Sequence, residues 1–91
     1  PLDEISEKAD FVIGVNGNSM EPTFCDGDKV FVERCQIIET GKIGVFMVNN
    51  ECVIKEAGET GLISHNKNYK TIPGNESIHC IGKVLGKVDL D

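Results

Sequence analysis

The 91 residues carry 15 acidic against 9 basic side chains, a formal net charge of -6 and a pI near 4.8, which fits one compact domain rather than two. That acidity excludes a surface built to hold a phosphate backbone, because such a surface needs clustered Lys and Arg. The longest apolar runs, such as Phe11 to Ile13 and Val45 to Val48, fall far below the roughly 20 residues of a membrane-spanning helix, and no secretory leader is read ahead of them, so a cytoplasmic chain with no membrane partner is expected.

Trp is absent and aromatics make up 5% of the chain, so the core must come mainly from Val, Ile and Leu. The chain opens on Pro1 rather than Met, which suggests a trimmed or processed chain with further sequence upstream. Residues 1–10 are polar and acidic, with Leu2 and Ile5 as the large apolar exceptions, and read as a leading arm or a short helical turn. Phe11 to Val15 is β-rich and runs into the loop formers Asn16-Gly17-Asn18. Glu21 to Cys25 is long enough for one helical turn. The Asp26-Gly27-Asp28 turn leads into a strand over Lys29 to Glu33. Ile43 to Val48 is a third strand, Asn49-Asn50 a hairpin turn tolerant of positive φ, and Cys52 to Ala57 the returning strand. Gly58 to Gly61 turns, Leu62 to Ser64 makes a short strand, and Asn66 to Gly74 reads as a polar loop. Ser77 to Val88 closes the chain as a long β-prone run, with Gly82 and Gly86 marking bends or bulges. The predicted fold is mainly β, and within this last run Ile78 to Val88 is expected to offer an edge to a second copy of the chain, making a homodimer.

Cys25, Cys35, Cys52 and Cys80 are spaced by 10, 17 and 28 positions, with no C-x-x-C pair. They read as free, mostly half-buried thiols, and neither a metal nor a cofactor is expected.

Two features carry chemistry. In Gly17-Asn18-Ser19-Met20-Glu21-Pro22-Thr23, glycine permits a close backbone approach, Ser19 stands at the tip of a turn after a strand, and Pro22 stiffens the exit. This is either a nucleophile turn or a loop with a capping serine. The second feature is Lys55, which the two-residue strand period puts on the face of Val53 and Ala57, opposite Glu56. A lysine there either snorkels to solvent from an edge strand or serves as a general base. An ordinary lysine is neutral in roughly 1 molecule in 2500 at pH 7, and desolvation worth ~3 pK units would make about a third neutral. His65, in the polar loop, and His79, in the last strand, lack a recognisable catalytic context and read as structural. A Ser/Lys dyad therefore explains more of the sequence than a Ser/His/Asp triad.

Gly17-Asn18-Ser19-Met20-Glu21-Pro22, then Gly27-Asp28-Lys29-Val30, then Val53-Ile54-Lys55 closely resembles the catalytic domain of LexA-type self-cleaving repressors, a family that includes UmuD and many prophage repressors. Leu62-Ile63-Ser64-x-Asn66 and Ile81-Gly82-x-Val84 continue the resemblance, which covers nearly the whole chain. It implies a LexA/signal-peptidase-like fold of short, strongly bent antiparallel strands. It also implies autoproteolysis, with Ser19 as nucleophile, Lys55 as general base and then general acid, and backbone N–H groups at Asn18 and Ser19 as the oxyanion hole. The substrate would be the chain's own upstream linker, DNA would be read by a preceding N-terminal domain, and a RecA filament would stimulate cleavage in relatives tied to the SOS response. Two departures stand out. Residues 1–18 contain no Ala-Gly or Cys-Gly pair to serve as the scissile bond, and Ala57-Gly58 lies too close to Lys55 to be cleaved by it. Two other functions fit the same residues: a signal-peptidase relative, which shares Ser-Met-x-Pro-Thr, and a dimerisation module that no longer cleaves.

Overall fold

A computed structural model describes residues 4–88. Leu2, assigned above to the leading arm, lies outside the described residues. The elements are α1 (Glu4–Lys8), β1 (Phe11–Gly14), β2 (Lys29–Arg34), β3 (Ile43–Val48), β4 (Glu51–Ala57), β5 (Gly61–Ile63), β6 (Ile72–Pro73) and β7 (His79–Lys87). They agree with the mainly β reading strand by strand, except that the polar loop over 66–74 contains the two-residue β6. That strand exists because Leu62 pairs with Ile72 and Gly61 with Pro73. Among the described residues no helix is long and apolar enough to cross a membrane.

All seven strands form one curled antiparallel sheet in the order β1-β2-β7-β3-β4-β5-β6. The β3–β4 hairpin turns through Asn49 and Asn50 at φ 50° and 67°, left-handed values that asparagine tolerates better than most side chains. The last strand is the middle of the sheet: β7 pairs with β2 on one side and β3 on the other. This corrects the expectation that the Ile78–Val88 run presents an edge to a second copy. The described sheet ends instead at β1 and β6.

The bends read from Gly82 and Gly86 are bulges. Against β3 the register slips at Ile81, and against β2 it slips at Leu85, each residue immediately preceding a glycine. An extra residue on one strand sharpens its twist, and two of them in β7, facing different partners, curl the sheet on both sides. At Gly82 the backbone of β2 comes too close for a side chain. A Cβ there would stand 2.5 Å from Val32 Cγ1 and 2.8 Å from the Glu33 carbonyl oxygen. Gly82→Ala is therefore expected to lower stability by about 2 kcal/mol, read as a lower urea midpoint; an unchanged midpoint would mean that β2 moves aside freely.

The curled sheet encloses two apolar clusters. The larger joins Val15, Met20, Phe24, Val30, Val32, Val45 and Ile54, and the smaller joins Phe46, Ala57 and Leu62. Val30 and Val32 have no exposed surface, as expected for alternate residues of β2 that point into the sheet's concave side.

The four cysteines are free, but they are not alike. Cys25 and Cys52 are exposed, which differs from the half-buried state expected from their neighbours, and Cys35 and Cys80 are partly buried with their sulfurs 3.9 Å apart. Burial, and then Cys35, push the Cys80 thiol up to about 11, which leaves roughly one molecule in ten thousand as thiolate at neutral pH. Timed alkylation followed by mass spectrometry should modify Cys25 and Cys52 first and Cys80 last. Early modification of Cys80 would contradict this burial.

Candidate active site

Between β1 and β2 the chain makes one long excursion, residues 15–28, whose two ends are tied together. Val15 N–H donates to the Asp28 carbonyl at 2.7 Å, and Gly27 N–H donates to the Val15 carbonyl at 2.9 Å. Two carboxylates brace the interior: Asp26 Oδ1 accepts from Gly17 N–H at 2.7 Å, and Asp28 Oδ2 accepts from Cys25 N–H at 2.8 Å. Gly17 and Gly27 have φ of 83° and 92°, conformations that suit glycine at the two corners. Phe24 N–H donates to the Met20 carbonyl at 2.9 Å, so Met20–Phe24 closes as one helix-like turn. Met20 is 1% exposed and anchors this turn in the larger core cluster. Ser19, the residue before it, is thereby held at the surface of the core.

Lys55 comes from the other half of the sheet. It sits on β4, 6% exposed, opposite Gly44 of β3. The Lys55 ammonium donates to Ser19 Oγ at 2.6 Å. Two residues 36 positions apart in the chain are thus in direct contact. Burial lowers the Lys55 pKa below the ordinary lysine value, because the charged form loses its hydration. Once the amine is neutral, its lone pair faces the serine hydroxyl and can take its proton.

The pair opens into a cleft of about 200 Å³, mostly apolar, lined among others by Phe11, Ile13, Met20, Val45, Ile54 and Ile81. Such walls suit aliphatic side chains of an extended peptide and keep water from the amine. Among the described residues, the amide hydrogens of Asn18 and Ser19 donate to no acceptor. Among the described residues the His79 ring has no hydrogen-bond partner.

His65 is more engaged than its polar loop suggested. Its Nε2 is 2.9 Å from Glu56 Oε1, and its Nδ1 is 2.5 Å from Thr23 Oγ1, so it bridges the residue after Lys55 to the turn that carries Ser19. Asn66 reaches the same turn through two hydrogen bonds to the Asn18 and Ser19 carbonyls. Neither contact was foreseen from sequence; the one available hint was that Asn66 falls within the motif series quoted above.

The family model described as "Peptidase S24-like" matches residues 2–85. The chain is 41% identical to the LexA repressor of Streptomyces avermitilis over 83 residues, covering 86% of this chain and 33% of that protein. It is 36% identical to the LexA repressors of Mycobacterium leprae and Mycolicibacterium smegmatis over 93 residues, covering 97% of this chain and 37% and 36% of those proteins. The chain therefore spans about a third of the length of the curated relatives it matches.

Proposed function

The chain belongs to the S24-like peptidase family, and from that premise we propose that it is the C-terminal autoproteolytic Ser/Lys peptidase and dimerisation domain of a LexA-like or prophage-type transcriptional repressor. The observation that carries this reading is the 2.6 Å contact between Ser19 Oγ and a lysine nitrogen withdrawn from water at the wall of an apolar cleft.

Neutral Lys55 takes the Ser19 proton as Oγ attacks the scissile carbonyl carbon. The carbonyl electrons move to oxygen, where the Ser19 and Asn18 N–H groups can receive the charge. Collapse of this intermediate breaks the C–N bond, and the Lys55 ammonium returns the proton to the departing amine. Water, deprotonated by Lys55, then hydrolyses the Ser19 ester. No metal or cofactor is required.

The proposed substrate is the protein's own segment upstream of the sheet. Ala57-Gly58 is a poor candidate for the scissile bond. Ala57 is buried, its N–H and carbonyl are bonded to Lys42 and Gly41, and Gly58 N–H is bonded to the Gly61 carbonyl. The net charge of -6 is consistent with DNA contact by another part of the protein. Homodimerisation is proposed on the apolar surface left open, with Ile37 88% exposed and Val12 46% exposed on the edge strand β1. Stimulation by a RecA filament and a cytoplasmic location belong to the same reading.

Incubation of the full-length protein at alkaline pH tests the proposal. Two fragments should appear, and Ser19→Ala should give none. A wild-type protein that stays intact for days would point to a module that no longer cleaves.

A further inference from the structure

The two peptide groups flanking Ser19 are held from outside their own turn by a single residue. Asn66 donates its backbone N–H to the Ser19 carbonyl at 2.9 Å and its Nδ2 to the Asn18 carbonyl at 3.0 Å. Its Oδ1 accepts from Asn68 N–H at 3.0 Å. The carboxamide therefore has one orientation, since reversing it would set donor against donor at Asn68 and acceptor against acceptor at Asn18. The residue before it is pinned as well, because His65 is bonded to Glu56 on β4 and to Thr23 beyond the serine.

The Asn18 carbonyl and the Ser19 N–H are the two ends of one planar peptide unit, so fixing the oxygen fixes the direction of the N–H. A hydrogen bond donated to that oxygen also polarises the unit and makes its N–H a better donor. The same N–H has no acceptor among the described residues.

We propose that Asn66 is the positioning residue of the oxyanion site, aiming and polarising the Ser19 N–H through the Asn18 carbonyl; this rests on the Ser/Lys reading of the cleft. Asn66 makes no hydrogen bond to Lys55. Its loss should therefore slow bond formation at Ser19 and leave unchanged the pH at which Lys55 gives up its proton.

The test uses this chain and a fluorophosphonate probe. Ser19 Oγ attacks phosphorus, fluoride leaves, Lys55 takes the proton, and the phosphoryl oxygen occupies the oxyanion site. Asn66→Ala should lower the maximal labelling rate at least about tenfold, with the half-saturating probe concentration and the midpoint of the pH profile unchanged. Asn66→Asp keeps the shape and the bond from Asn68 but has no donor for Asn18, and on the plateau of its pH profile it should lose as much. A wild-type labelling rate in Asn66→Ala, or a displaced midpoint with the plateau intact, overturns the proposal. If the folded wild-type chain takes no label, the peptidase reading fails, and the Ser19 amide nitrogen resonance still decides the role of Asn66. A resonance unmoved by Asn66→Ala overturns it, and a displaced one supports it.

Discussion

If the proposed mechanism holds, Lys55→Ala in the full-length protein should abolish self-cleavage at alkaline pH, a loss of about a thousandfold or more, while the chain remains folded. The size of the effect follows from the lack of a substitute: among the described residues, Lys55 is the one that hydrogen-bonds Ser19 Oγ. Unchanged cleavage in this variant would remove Lys55 from the mechanism.

The pH dependence has a definite sign. In the proposed mechanism the neutral amine is the active form, so the wild-type rate should climb about tenfold per pH unit while the ammonium predominates and level off above the Lys55 pKa. Burial has lowered that pKa, so the plateau begins below the ordinary lysine value. The same shift acts on stability. Between the lowered pKa and the unfolded value, the unfolded chain binds more protons than the folded one, so stability rises with pH across that window. Below the window the full penalty of a buried charge remains. Lys55→Met should accordingly stabilise the fold at neutral pH by about 1.4 kcal/mol for each unit of lowering, and the gain should shrink as pH rises through the window. Urea melts at pH 7 and pH 10 would show it, and a gain that grew with pH would contradict it.

Met20→Ala should cost about 3 kcal/mol. The side chain is 1% exposed and packs with Val15, Phe24 and Val30, so truncation leaves a cavity under the very turn that presents Ser19. Both the urea midpoint and the cleavage rate should fall, whereas Met20→Leu, close in volume, should lose about 1 kcal/mol or less. If Met20→Ala kept full activity, the serine would be held by the hydrogen bonds of its loop and not by the core beneath it.

Local patterns made the strands legible. The runs Lys29–Glu33 and Ile43–Val48 are β-prone and bounded by turn formers, and Asn49-Asn50 announced a hairpin turn with left-handed backbone. Ser19 and Lys55 were legible because each is odd for its place: a serine at a glycine-led tip, and a lysine on an apolar strand face. β6 was hidden because Ile72 is the one aliphatic residue between Asn66 and Gly74, and its strand exists only through Leu62. His65 and Asn66 were hidden for a related reason. Their partners lie up to 48 positions away in the chain, and nothing in a polar loop says which distant carbonyl it will meet. The central place of β7 was equally invisible, since pairing on one edge or both leaves the same alternation.

That central place has a consequence for the order of events during synthesis. The serine-bearing ribbon of β1 and β2 is laddered to the lysine-bearing strands solely through β7, which leaves the ribosome after every other strand. Until His79–Lys87 has emerged, a nascent polypeptide lacks the strand ladder that joins the two halves, so on the proposed reading self-cleavage should wait until the whole sheet has been translated.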